Sequence, residues 1–185
     1  MLIDDIRAYV PFNEQEERDK AELLRWLETG GEEIYTRKNR AAHLTASAWV
    51  VSRDRRYVLM AYHNLYKSWA WLGGHADGET DLLAVARREA EEESGIAGLR
   101  EPRGGLLSLE ILTVDGHEKR GEYVSSHLHL NVTYLFEADM DGSLSVKPDE
   151  NSAVGWIRMD ELEEKVSEPW MMERIYRKLR EKSRA

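Results

Sequence analysis

The chain has no cysteine among its 185 residues. That excludes disulfides, thiolate-bound zinc and cysteine nucleophiles together. No apolar run approaches the roughly 18 residues of a membrane span, so no membrane partner is expected. The opening segment, MLIDDIRAYVPFNEQ, has no basic stretch followed by an apolar one. It therefore does not read as a signal peptide, and a cytoplasmic location is the expectation. Positive charge is also in deficit: 26 Lys and Arg stand against 35 Asp and Glu, a net charge of -9. Binding to long nucleic acid rests on cations neutralising phosphates, so that class of partner is disfavoured. A small phosphorylated substrate is not, because a bound divalent cation reverses the local field. Repeats and low-complexity segments are missing too.

What is present suits one domain with an added element at one end. Hydrophobic residues make up 42% of the chain, enough for a packed core. Residues 1–39 read as a helical extension packed on the main domain. Asn13 followed by Glu16 resembles a capping box; Leu23, Leu24, Trp26 and Leu27 supply an apolar end, and Gly30-Gly31 stops the helix. From residue 40 to residue 185 the pattern is strands mixed with a few helices, an α+β or layered α/β domain. The segment 127–139 alternates: Leu128, Leu130, Val132, Tyr134 and Phe136 share one face, and His127, His129, Asn131 and Thr133 the other. The last helix follows Pro169, with Met171, Ile175 and Leu179 as its expected buried stripe.

The run from Gly73 to Ile96 carries the chemistry. A glycine turn leads into a helix expected from about Asp81 to Ser94, which Gly95 ends. At about 100° per residue, Leu82, Leu83, Ala86 and Ala90 define the apolar stripe. Glu93 falls within it, Glu89 at its edge and Glu92 further round, while Glu91 and Arg87 point to solvent. A carboxylate leaning inward is costly unless paired or metal-bound. The i, i+3 and i+4 spacing of Glu89, Glu92 and Glu93 lets them serve one site. Arg88, four residues before Glu92, is placed to hold that carboxylate. Hard oxygen ligands of this kind select Mg2+ or Mn2+, with Ca2+ also in range.

These residues resemble the Nudix box. Gly74, Arg88, Glu89, Glu92, Glu93, Gly95 and Ile96 match its fixed positions, and Ala90 fills an aliphatic one. Thr80 stands where the family has its first glutamate, and Leu72 where a proline is common. The resemblance implies a Nudix fold from about residue 40 onward, an α/β/α sandwich around a mixed sheet. It implies a hydrolase that cleaves a diphosphate bond in a nucleoside diphosphate linked to another group. Carried over by position, it makes Glu89, Glu92, Glu93 and the Gly73 carbonyl the metal ligands, with Arg88 orienting a glutamate. A metal-bound water would attack phosphorus, and a carboxylate would take its proton, either Glu89 or a downstream loop residue such as Glu150. His127, His129 and Trp69 are the candidates for substrate contact, though an exposed polar strand face and core packing explain the same residues. His75 reads as a loop residue. A homodimer is left open.

Two other classes fit the fold. One is a catalytically silent nucleotide sensor, disfavoured because all three helical glutamates remain. The other is an isopentenyl-diphosphate isomerase, which would need a cysteine. The subfamily signs for ADP-ribose or dinucleoside-polyphosphate hydrolases are missing: Ile111, Leu112 and Thr113 stand in their places.

Overall fold

Two helices lead the chain, α1 (Leu2–Ala8) and α2 (Glu14–Thr29), followed by a short 3-10 turn at Glu32–Tyr35. The computed structural model describes residues 1–102, 104–119 and 121–184. Asn13 caps α2 by accepting a bond from the Glu16 N–H at 3.0 Å. Glu16 reaches back one residue further than a capping box requires, accepting from the Phe12 N–H at 2.8 Å.

Strand β1 (Ala42–Ser52), strand β2 (Tyr57–His63), and the short strands β3 (Ser68–Ala70) and β4 (Leu72–His75) come next. Helix α3 (Leu82–Ser94) follows, then β5 (Leu106–Val114) and a separate hairpin of β6 (His117–Lys119) and β7 (Glu122–Val124). Strands β8 (His127–Ala138) and β9 (Asn151–Arg158) complete the sheet. The chain closes with α4 (Leu162–Lys165), α5 (Pro169–Met171), a π-helical stretch at Met172–Tyr176, and α6 (Arg177–Arg184).

The seven-stranded sheet runs β3-β2-β1-β8-β5, with β4 added to β1 and β9 to β2. Only the β1–β8 pairing among these is parallel, and it sets His43 opposite His129, Thr45 opposite Asn131 and Ser47 opposite Thr133. Both faces of the sheet are covered. Ala42, Leu44, Ala46 and Val50 of β1 join Leu130, Val132 and Phe136 of β8 under α1, α2 and α3. Trp49, Val51 and Leu135 face the opposite way, against Leu162, Met172, Ile175, Tyr176 and Leu179. This is the layered mixed-sheet architecture expected from the sequence.

Several local expectations are corrected. The polar face of β8 is not exposed: Asn131 and Thr133 are fully buried, because the strand is central and helices cover it. The last helix buries Met172 and Tyr176 along with Ile175 and Leu179, leaving Met171 only half-buried. The π-helical stretch adds a residue to the turn and so shifts the stripe. In α3, Val85 is fully buried and Leu83 half-buried. Arg87 does not point freely to solvent. It bonds the Leu99 carbonyl at 2.7 Å, pairs with Glu101 and lies over the Phe136 ring.

Candidate functional site

Strand β4 and helix α3 hold the site between them. Asp81 caps α3 by accepting from the Ala84 N–H at 3.1 Å, and Gly95 ends the helix in the left-handed region at φ 70°. At the position of the missing box glutamate, the Thr80 N–H and the Asp81 N–H both donate to Glu79 Oε1, at 2.7 and 2.9 Å. Glu79 thus stabilises the turn just before the helix.

Gly73 and Gly74 sit in β4, opposite Ser47 and Ala46 of β1. The Gly73 N–H donates to Glu93 Oε2 at 2.8 Å. Gly74 packs so closely on Glu89 that a Cβ there would lie 2.5 Å from the carboxylate carbon. Only glycine lets that carboxylate approach the backbone.

The three helical glutamates occupy graded environments. Glu93 is buried, and its pKa is pushed up to about 7. Burial is the main cause, opposed by the bonds from Gly73 and Asn151, with Glu150 and Glu89 nearby adding repulsion. Glu89 is largely buried and pairs with Arg88 at 3.0 Å. Glu92 is half-exposed, 3.9 Å from both Arg88 Nε and Lys147 Nζ. Arg88 therefore holds Glu89 more closely than Glu92, the partner the helical spacing suggests.

Glu150 ends the loop before β9, in a salt bridge with Lys147 at 3.2 Å. Lys147 also lies 3.9 Å from Glu92, so the bridge sets Glu150 beside the helical carboxylates. Lys147 was not singled out from the sequence. Burial works against its charge, but Glu150, Glu89 and Glu93 raise its pKa above the usual value. The only sequence sign of it is the i, i+3 spacing to Glu150. Asn151, whose Nδ2 lies 3.5 Å from Glu93 Oε1, was missed as well.

The extension touches the loop between β4 and α3. Arg37 forms a two-pronged ion pair with Asp77, one prong at 2.7 Å, and the Gly78 N–H donates to the Tyr35 carbonyl at 2.8 Å. These contacts pin the loop between β4 and α3. Hydrogen bonding from Arg37 holds the Asp77 carboxyl below its ordinary pKa.

His127 and His129 are brought together, and His43 and His75 join them: every ring in this group lies about 5 Å from at least one other. His75 belongs to β4 and not to a loop. Trp69 lies elsewhere, edge-on to Tyr62 and packed against the core under the C-terminal helices.

Residues 41–179 match the NUDIX domain family. The chain belongs to this family. Among solved structures, a NUDIX family hydrolase from Clostridium perfringens shares 21% identity, with 74% of this chain and 95% of that one covered at a TM-score of 0.50. The C. elegans Ap4A hydrolase shares 15%, covering 76% and 94% at 0.51. RenU, a Nudix hydrolase from M. Smegmatis, shares 15%, covering 78% and 86% at 0.54. At these identities the likeness is one of fold. No curated protein matches the chain. The family match begins after the helical extension, so α1, α2 and Arg37 lie outside it.

The carboxylate group fits a hard divalent cation. The donors are all oxygens, Gly74 lets the Glu89 carboxylate approach strand β4, and Glu89 and Glu150 add repulsion at Glu93. A divalent ion would relieve that repulsion.

Proposed function

We propose that this Nudix protein is a metal-dependent hydrolase of the diphosphate bond in small nucleoside diphosphate derivatives. The observation that carries the reading is the joint placement of Glu93 on the Gly73 N–H and Glu89 against Gly74. Together they gather carboxylates beside the glycines of strand β4, where the phosphates would bind.

Glu89, Glu92, Glu93 and the Gly73 carbonyl are the residues that would hold Mg2+ or Mn2+. When bound, the ion neutralises diphosphate charge and lowers the pKa of a water ligand. Arg88 fixes Glu89 and, with Lys147, adds positive charge beside Glu92. Glu150 stands off the helix, so it is not needed to hold the ion. We assign it as the proton acceptor for the attacking water, with Lys147 holding it in place. Water attack at phosphorus breaks one P–O bond of the diphosphate, and the proton passes to Glu150.

The match to an Ap4A hydrolase structure keeps dinucleoside polyphosphates among the substrates to try. The test is phosphate or nucleotide release across a panel of nucleotide diphosphate derivatives, with and without Mg2+. Turnover that requires the metal supports the reading. Nucleotide binding with no turnover of any member would instead make the protein a sensor.

A further inference from the structure

The histidine group is separate in chemistry from the carboxylates. It is built by sheet register. Parallel pairing of β1 with β8 sets His43 beside His129, and antiparallel pairing of β1 with β4 sets His75 opposite Thr45, on the next same-face position after His43. Three strands far apart in sequence thus aim imidazoles into one space. One ligand atom from each of His43, His75 and His129 lies within 4.8 Å of the others, the one such group of three among the described residues. The box glutamates stand wider apart than this.

Hydrogen bonding leaves His43 with one bare ring nitrogen. His43 Nδ1 lies 3.0 Å from the Asn39 carbonyl oxygen, which only accepts, so the ring proton sits on Nδ1. Nε2 is then a bare lone pair. It is buried and has no hydrogen-bond partner. An unsatisfied buried acceptor is costly, and a bound ion removes that cost. His127 repeats the arrangement, with Nδ1 2.8 Å from the Ser125 carbonyl, so its Nε2 accepts from His129 Nε2–H at 3.3 Å and leaves His129 its lone pair on Nδ1. Backbone carbonyls that orient imidazoles are the usual outer support of histidine metal ligands. Burial, then the neighbouring imidazoles, lower the pKa of His129 to about 2; burial also lowers that of His43.

We propose that His43, His75 and His129 form a second metal site, specific for a transition metal of the zinc class and distinct from the carboxylate site for Mg2+. Imidazole nitrogens favour Zn2+, Co2+, Ni2+ and Cu2+ over Mg2+, which wants oxygen. A tetrahedral ion with Zn–N of about 2.0–2.1 Å brings its ligand atoms to about 3.3 Å from one another. The rings close on it by side-chain rotation, and the fourth position stays open beside His127. The site joins β1, β4 and β8 at the strand that carries Gly73 and Gly74. It does not depend on the hydrolase reading.

The experiment uses the full chain without a polyhistidine tag. Co2+ is titrated and followed by its visible absorption, with Zn2+ as competitor and excess Mg2+ present. The expected result is one Co2+ per chain with the intense bands of a tetrahedral nitrogen-rich site, displaced by Zn2+ and not by Mg2+. Glu92→Gln and Glu93→Gln keep the spectrum, whereas His129→Gln and His75→Ala weaken binding at least 10-fold. His43 is buried, so wild-type protein gives the parallel readout. One equivalent of Zn2+ should shift the ring nitrogen resonances of His43, His75 and His129 in long-range 1H–15N spectra. Unmoved ring resonances overturn the proposal. So does Co2+ binding that survives both histidine changes, or that disappears in the glutamate variants alone.

Discussion

Lys178 Nζ lies 3.2 Å from Glu16 Oε1 and 3.0 Å from Glu110 Oε1, with all three side chains buried. The contact joins α2, β5 and the last helix around the edge of the sheet. Lys182 adds a second cation at 2.8 Å from Glu16, Ser108 donates to Glu16 Oε1, and Asn131 and Thr133 donate to Glu110 Oε2. A buried carboxylate this well partnered stays charged. The same contact fastens the extension, which lies outside the family match, to the far end of the chain.

Glu16→Ala leaves Lys178 and Lys182 short of a counter-ion in a buried site. Removing one member of such a group costs about 3–5 kcal/mol. Urea unfolding should show that loss. A change below about 1 kcal/mol, the range of surface pairs, would mean that the network does not fasten the extension.

The same residue predicts an acid limit. Burial alone would raise the Glu16 pKa, but the Lys178 charge and the bonds from Lys182, Tyr9 and Phe12 outweigh it and hold it at about 2, below its unfolded value of 4.5. Its contribution is therefore fully present above pH 4.5 and drains away as pH falls toward 2. The stability difference between wild type and Glu16→Gln should be flat above that window and shrink within it. A difference that stays constant down to the acid end would contradict the assignment.

Gly74→Ala places a methyl 2.5 Å from the Glu89 carboxylate carbon. That carboxylate is the end of a flexible side chain, so the fold adjusts at a stability cost within about 1 kcal/mol. The carboxylate moves off strand β4, and Mn2+ affinity read by electron paramagnetic resonance should fall at least 10-fold. Unchanged Mn2+ affinity would show that Glu89 does not need the backbone.

Glu150→Gln and Glu93→Gln separate proton transfer from metal binding. Glu150→Gln should lower kcat by about 10²–10⁴-fold with metal affinity intact. Glu93→Gln still accepts the Gly73 bond through its amide oxygen, so the fold persists while metal affinity and turnover collapse. Equal losses of metal affinity in both variants would place Glu150 among the ligands.

Arg37→Ala releases Asp77 and loosens the loop that leads into α3. Amide exchange at Gly78 should speed up and KM should rise, with little change in global unfolding. Unaltered exchange at that loop would show that the Tyr35–Gly78 bond alone holds it.

The helical part of the site was legible before any coordinates. Helix periodicity is local, so the inward lean of Glu93 and Glu89 and the outward turn of Glu91 follow from spacing alone. The alternation in residues 127–139 likewise identified both faces of β8. Its polar face reads equally well as solvent-facing, because burial depends on what packs above it. Arg87 was misjudged for the same reason: its partners Leu99, Glu101 and Phe136 come from other segments.

The family, the mixed architecture and the helical carboxylates can all be read from neighbouring residues, because each is a local pattern. The sequence also excluded thiolate chemistry outright. Tertiary structure decided the rest. It set Lys147 and Glu150 beside the helix, Arg37 on the loop and Glu16 between two lysines. It also drew His43, His75 and His129 together from three strands. Those contacts arise from strand register and helix docking between segments far apart in the chain, and no local pattern records such pairings.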